Sequence, residues 1–228
     1  MFSGLIEGQA TVLEVERKGS GARLVLEAPR LARGLARWNP TAGESIAVSG
    51  CCLTVARVSR AGRTAYDLSR ETLARTWFGA LEPGRRLNVE RSLRLADRLG
   101  GHLVSGHVDA LGRIAESSDS EDGGRVLTLE VPRGFERWLV DKGSVTIDGV
   151  SLTVVEPRGR RFDVALIPET LRRTTLGTAS AGDPVNLEGD AIGKWVERLI
   201  GERALPATRP GSVRRGRAAV RTRRTGRS

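Results

Sequence analysis

The sequence predicts a mainly β protein: two tandem six-stranded Greek-key β-barrels followed by a C-terminal α-helix. Three observations lead there. An internal repeat runs through the chain at a nearly constant offset. Within each copy, short runs of period-two alternation are punctuated by Gly, Pro, Asp and Asn. After the second copy, apolar residues switch to helical spacing.

The repeat first shows in Gly34-Leu35-Ala36-Arg37-Trp38 against Gly134-Phe135-Glu136-Arg137-Trp138, 100 residues apart. Ser45 to Val55 matches Ser144 to Val154 at an offset of 99, and Glu71-Thr72-Leu73 matches Glu169-Thr170-Leu171 at 98. Gly84, Asn88 and Glu90 find Gly182, Asn186 and Glu188, and Ser3-Gly4-Leu5-Ile6-Glu7 finds Ser105-Gly106-His107-Val108-Asp109. One offset held over a whole domain length means a duplicated domain, since solenoid units recur every roughly 20 to 50 residues. The expected division is a first barrel over 1–97, a second over 98–189, a helix over 190–201 and a basic tail over 202–228.

Strands are expected at Val12 to Glu16, Arg23 to Glu27 and Val126 to Glu130, which approximate the alternation of half-buried strands. Ser45 to Val55, Tyr66 to Leu68 and Leu87 to Glu90 continue the series, with partners at Val145 to Val155, Phe162 to Leu166 and Val185 to Glu188. Frequent turn residues suit antiparallel barrels better than βαβ units with long crossover helices. Leu31 to Trp38 and Ser69 to Thr76 read as short helices, and Pro168 sits where proline is favoured, at a helix start. Ile192, Trp195, Val196 and Leu199 fall at i, i+3, i+4 and i+7, with Asp190 as N-cap and Gly201 as stop. That helix has no counterpart between the barrels, so its apolar face must dock on its own chain or on another subunit. Pro206 to Ser228 lacks periodicity and reads as a disordered, solvated tail.

Composition excludes several function classes. A chain of 228 residues with 39% hydrophobic content can bury real cores. The net charge of +10 points to nucleic acid only until it is mapped: nine arginines against Glu202 in residues 202–228 leave +2 for the rest. A nearly neutral body argues against nucleic-acid binding as the main function. Lys18, Lys142 and Lys194 are the only lysines, so the arginine richness reads as coding bias as much as phosphate contact. Cys51 and Cys52 are neighbours and cannot staple distant segments. Together with His102 and His107 they give no usual zinc spacing, so no metal is expected. No apolar run approaches the roughly 20 residues of a membrane helix, and no signal-peptide layout follows Met1; a cytoplasmic protein is expected.

Five segments together carry a resemblance. Met1-Phe2-Ser3-Gly4-Leu5-Ile6-Glu7, Ser49-Gly50-Cys51-Cys52-Leu53-Thr54-Val55, Gly100 to Asp109, Asp148-Gly149-Val150-Ser151-Leu152-Thr153-Val154 and Ile167-Pro168-Glu169-Thr170-Leu171 resemble the riboflavin synthase α-chain family. Each motif alone is short; order, spacing and duplication make the match specific over residues 1 to about 200. Ser49 stands where the family usually has asparagine, Gly189 replaces a customary apolar residue, and the arginine tail is foreign to the family. The resemblance implies a transferase that dismutates two molecules of 6,7-dimethyl-8-ribityllumazine into riboflavin and 5-amino-6-ribitylamino-pyrimidinedione, without metal or redox cofactor. It further implies one lumazine per barrel, a homotrimer built by the C-terminal helix with the working site between neighbouring subunits, and lumazine synthase as a candidate partner.

Site residues follow from that resemblance. Cys52 is expected as nucleophile or polariser of a water, against the ordinary alternative of an inert small hydrophobe; Cys51, on the other strand face, is packing. His107 suits proton shuttling or a ring hydrogen-bonded at the barrel junction. His102 resembles a linker residue. Ser45 is a polar group near the reacting ring or a turn former, and Asp190 orients a catalytic group or caps the helix. The first pocket is expected from Gly4, Leu5 and Ile6, from Cys52, Leu53 and Thr54, and from Asp67, Leu68, Ser69, Arg70, Glu71 and Thr72. The second is expected from Gly106, His107 and Val108, from Lys142, from Ser151, Leu152 and Thr153, and from Ile167, Pro168, Glu169, Thr170, Leu171 and Arg172. Phe2 covers the ring or fills core. Cys52 facing Ser151 in the repeat marks the two sites as unequal. Two other readings stay open: a non-catalytic lumazine or flavin carrier on the same scaffold, and a nucleic-acid binder acting through the tail.

Overall fold

The computed structural model describes residues 1–31 and 38–204. Residues 32–37 of the helix expected over 31–38, and the tail from 205 onward, therefore lie outside the described residues, while Leu31 belongs to a short strand. The first barrel is formed by β1 (Gly8–Lys18), β2 (Gly21–Leu26), β4 (Ser45–Val48), β5 (Cys51–Val58), β6 (Thr64–Leu68) and β7 (Arg86–Arg91), with a two-residue β3 (Arg30–Leu31) beside β1. All pairings are antiparallel in the order β2-β6-β5-β4-β7-β1, and β1 returns to β2 to close the barrel. β1 serves two neighbours because it bends: Gly8 to Thr11 pair with β7, and beyond the register shift between Val12 and Glu14 it pairs with β2. Such a bulge is the usual device for turning a barrel corner.

The second barrel uses β8 (Ala110–Asp119), β9 (Arg125–Glu130), β10 (Ser144–Ile147), β11 (Val150–Thr153), β12 (Val155–Arg158), β13 (Arg161–Leu166) and β14 (Pro184–Gly189). Its ladder runs β11-β10-β14-β8-β9-β13-β12. β11 and β12 together are the counterpart of β5, so the barrel closes through chain continuity at Val154. Within β12, Glu156 at a φ of +46° and Pro157, which can donate no ladder hydrogen bond, coincide with the register shift between Val155 and Arg158 against β13.

The strand expected from Ser45 to Val55 is two strands. Ser49 and Gly50 both have positive φ, as do Asp148 and Gly149, so each pair forms the tight hairpin turn whose twist matches its strands. The short helices α1 (Arg70–Arg75) and α2 (Pro168–Arg173) stand where the repeat places them. Ser69 caps α1 by accepting from the Thr72 N–H at 3.0 Å; α2 begins after Ile167 without a side-chain cap and has Pro168 in its first turn instead.

Each barrel has its own apolar core, and the strands between them explain the lapse in alternation. β7 and β14 are buried on both faces: Leu87, Val89, Val185 and Leu187 point inward, while Asn88, Glu90, Asn186 and Glu188 face the other barrel. Each asparagine spends both ends of its amide across the junction. Asn88 Nδ2 donates to the Asp148 carbonyl at 2.9 Å and its Oδ1 accepts from Thr175 N–H at 2.8 Å. Asn186 Nδ2 donates to the Ser49 carbonyl at 2.8 Å and its Oδ1 accepts from Trp77 N–H at 3.1 Å. Leaving one such group unpaired would cost about 1–3 kcal/mol, so the junction is specified polar group by polar group.

The helix α3 (Ala191–Ala204) follows β14 and docks by its polar side. Lys194 Nζ lies 2.6 Å from Asp109 Oδ2 and sits over the Trp138 ring, while Glu197 accepts from Trp138 Nε1 at 2.6 Å. Gly189 lies beneath, where a Cβ would fall 3.1 Å from the Trp138 ring, a tight contact that any larger residue would have to relieve by shifting the indole. Ile192, Trp195, Val196 and Leu199 are left exposed, Trp195 to 69%. No helix among the described residues is long and apolar enough to cross a membrane.

Candidate active site

The chain enters each barrel only after lying against the other. Ser151 N–H donates to the Gly4 carbonyl at 2.9 Å, and Cys52 N–H donates to the Gly106 carbonyl at 2.7 Å. Residues 3–6 thus extend the second barrel at β11, and residues 105–108 extend the first at β5. Side chains follow: Ile6 belongs to the second barrel's core, and Val108 packs on the first's. The two segments meet where Phe2 and Val104 exchange N–H to carbonyl bonds of 2.8 and 3.1 Å. Phe2 is fully buried there with Ala47, Val104 and the partly buried Cys52.

This corrects the grouping expected from the repeat. Gly4, Leu5 and Ile6 stand beside Ser151 in the second barrel, and Gly106, His107 and Val108 stand beside Cys52 in the first. Order along the chain suggested that each segment serves its own copy; backbone pairing across the junction exchanges them.

A buried carboxylate clamps each crossing segment. Glu90 accepts from Ser3 N–H at 2.6 Å, Ser3 Oγ at 2.7 Å and Gly4 N–H at 3.0 Å. Glu188 accepts from Ser105 N–H at 2.7 Å, Ser105 Oγ at 2.6 Å and Gly106 N–H at 2.9 Å. Burial pushes Glu90 up to about 7, against the lowering effect of the Ser3 and Gly4 hydrogen bonds. Close approach demands glycine at both crossings. Gly4 and Gly106 have φ of +77° and +79°, and a Cβ would fall 2.5 Å from Ser151 Cβ and 2.6 Å from Cys52 Cβ.

Beside Cys52 the exchange leaves a cleft of about 440 Å³, lined by Cys51, Cys52, Gly106, His107, Val108 and Asp109 on one side and by Glu71, Thr72, Arg75 and Thr76 of the α1 region on the other. That volume suits a small heterocycle. His107 and the Arg75–Glu71 ion pair of 2.8 Å are both exposed. Cys51 turns into the core, and burial first, then Cys52 and Glu188, pushes its thiol up to about 12. Of the two thiols lining the cleft, Cys52 is the more exposed.

The other expected residues are placed as follows. Leu53 and Leu68 lie in the first core, and Leu152 and Leu171 pack against the second, so they offer a ligand backbone rather than side chain. Asp67 is held by Arg23 on the barrel exterior at 2.9 Å. Ser69 caps α1, Arg70 is exposed, and Thr54 sits on the ladder opposite Ser45, which does not line the cleft. In the second barrel, Glu169 pairs with Arg172 at 2.6 Å and with Arg173, while Pro168, Ile167, Thr153 and Lys142 are exposed and Thr170 is half-buried. Asp190 accepts from Ile192 N–H at 2.9 Å, the cap its sequence position implied. Arg75, Thr76 and Asp109 were not anticipated; Arg75 lies one turn from Glu71 on the same helix face, a spacing that the sequence carries.

His102, expected as a linker residue, is 9% exposed and packed beside β10 and β11 of the second barrel. Its Nδ1 lies 2.7 Å from Ser151 Oγ and its Nε2 3.1 Å from Thr146 Oγ1. Burial lowers its pKa, with Asp190 opposing.

The lumazine binding domain family matches the chain twice, over residues 3–92 and 105–190. The riboflavin synthase of Mycobacterium tuberculosis (strain ATCC 25618 / H37Rv) is 44% identical over 204 residues, covering 88% of this chain and 98% of its own. That of Escherichia coli (strain K12) is 37% identical over 217 residues, covering 93% and 99%. Among solved structures, LumP complexed with 6,7-dimethyl-8-(1'-D-ribityl) lumazine shares the fold with a TM-score of 0.71 at 22% identity, over 82% of this chain and 98% of that one. The chain therefore belongs to the riboflavin synthase family, in which two lumazine binding domains follow one another in a single polypeptide.

Proposed function

We propose that the chain is a riboflavin synthase: two molecules of 6,7-dimethyl-8-ribityllumazine react, one passing a four-carbon unit to the other, to give riboflavin and 5-amino-6-ribitylamino-pyrimidinedione. The observation that carries this reading is the doubled construction of the site, with Gly106 on Cys52 in one barrel and Gly4 on Ser151 in the other. A reaction that consumes a pair of like rings needs two similar pockets that treat their ligands differently. The thiol in one and the hydroxyl in the other supply that difference. The methyl group on ring carbon 7 is acidic because its anion delocalises, so a modest base and a nucleophile suffice once the rings are aligned. Alignment is worth roughly 7–11 kcal/mol, more than the 10²–10⁴-fold from acid–base help.

In this reading Cys52 adds to, or activates water at, the ring held in the first barrel, and His107 moves protons at the cleft mouth. Thr72 and Thr170 take equivalent places at the two pockets. The exposed row Ile192, Trp195, Val196 and Leu199 packs against other copies in a trimer, since α3 already spends its polar side on Asp109 and Trp138. That assembly brings the first barrel of one subunit to the second barrel of a neighbour. Incubating the pure protein with the lumazine tests the proposal. Riboflavin is expected to accumulate; lumazine retained but unconverted would instead favour the carrier.

A further inference from the structure

We propose that His102 is a positioning residue of the second site, locking the Ser151 hydroxyl into one orientation toward the ring bound there through a relay that ends on Thr146. The inference rests on the lumazine reading of that site. The relay has three members: Ser151 on β11, Thr146 directly opposite on β10, and the His102 ring, from the segment between the barrels, bridging their hydroxyls at 2.7 and 3.1 Å. The backbone that carries the ring is anchored as well, the His102 main-chain N–H donating to the Ser3 carbonyl at 3.2 Å. Gly101 makes that approach sterically open: a Cβ there would fall 2.1 Å from the Ser3 carbonyl oxygen and 3.0 Å from Ser151.

A neutral imidazole has one donor and one acceptor, so a relay with hydroxyls at both ends has a direction. In one direction the Ser151 O–H donates to Nδ1, which commits its proton and turns its lone pairs to the ligand; in the other Nδ1–H occupies one lone pair and leaves the O–H to donate to the ligand. Burial favours the neutral ring, and Asp190 is the charged group acting on it. Among the described residues the first barrel shows no such relay. At the same register, Ala47 stands opposite Cys52, and alanine offers no polar atom to anchor a ring. The relay therefore adds a second inequality between the sites beyond thiol against hydroxyl.

The test is a double-mutant cycle on turnover, with histidine ¹⁵N NMR as a readout independent of turnover. His102→Ala and Ser151→Ala are each expected to lower kcat/KM by roughly 3–10-fold, the worth of one oriented hydrogen bond. The double variant is expected to be no slower than Ser151→Ala alone, because His102 acts only through that hydroxyl. Thr146→Val, which keeps the core shape, is expected to lose activity in the wild-type background and nothing further in the Ser151→Ala background. The wild-type His102 ring is expected in a single neutral tautomer, replaced by a mixture in Thr146→Val. Losses that multiply in the double variant, full activity of Ser151→Ala, or a tautomer mixture in the wild type would each overturn the proposal. A single tautomer in a wild type that converts no lumazine would support the relay while overturning the function on which it rests.

Discussion

Replacing Gly106 with alanine would place a methyl carbon 2.6 Å from Cys52 Cβ and 3.0 Å from both Cys52 N and Phe2 Cε2, at a φ of +79°. Two costs add. An L-residue in the left-handed region costs roughly 1–2 kcal/mol, and forcing a methyl into packed surroundings costs roughly 1–3 kcal/mol more. Gly84 separates them, since its φ is +90° but nothing lies within 4 Å of a Cβ there. At about 2–4 °C per kcal/mol for a chain of this size, Gly84→Ala is expected to lower Tm by about 2–8 °C and Gly106→Ala by about 4–20 °C. The contact lies at the wall of the cleft, so Gly106→Ala should also weaken lumazine binding, read by fluorescence titration, while Gly84→Ala should not. Equal losses of Tm with unchanged affinity in both variants would refute the close approach of residues 105–108 to β5, and with it the exchanged pockets.

Three further outcomes are expected. Cys52→Ser should cut turnover roughly tenfold or more while leaving lumazine affinity within about twofold; unchanged turnover in a steady-state assay would remove the thiol from the chemistry. Asp148, pushed up to about 7 by burial against hydrogen bonds from Trp77 and the Asn186 N–H, is raised from an unfolded value of 3.8. Its contribution to stability is fully present below 3.8 and is lost as pH rises through about 7. Urea midpoints of the wild type should therefore fall between about pH 4 and 7, with Glu90 contributing to the same slope, and Asp148→Asn should remove part of it; an unaltered slope would exclude Asp148 as a source. Trp195→Glu puts a charge in the exposed apolar row of α3 and should reduce the mass measured by light scattering from that of a trimer to that of one chain, whereas an unchanged mass would place the subunit contact elsewhere.

The barrels were legible because period-two alternation and turn residues are local signals, and because duplication lets each copy check the other. The exchange of the crossing segments was not. Strand addition across a domain junction joins residues such as Gly4 and Ser151 that are far apart in sequence, and no periodicity records it. Asn88, Glu90, Asn186 and Glu188 stood out as a repeated polar set within apolar strands, a pattern that a buried junction explains and the sequence left unused. His102 was read as a linker residue because a lone histidine between Gly101 and Leu103 carries no spacing. Its signal lay elsewhere, in the paired replacement of Ala47 and Cys52 by Thr146 and Ser151, two hydroxyls gained at facing ladder positions. The α3 stripe was legible, yet its polar anchors Lys194 and Glu197 depend on Asp109 and Trp138, which only the folded chain brings near.

Quantifying substrate consumed against both products, with no other four-carbon donor present, tests the pairing of two like rings most directly. Two lumazines lost for each riboflavin and each pyrimidinedione formed is the expected balance. One lumazine lost per riboflavin, or riboflavin formed without the pyrimidinedione, would contradict it.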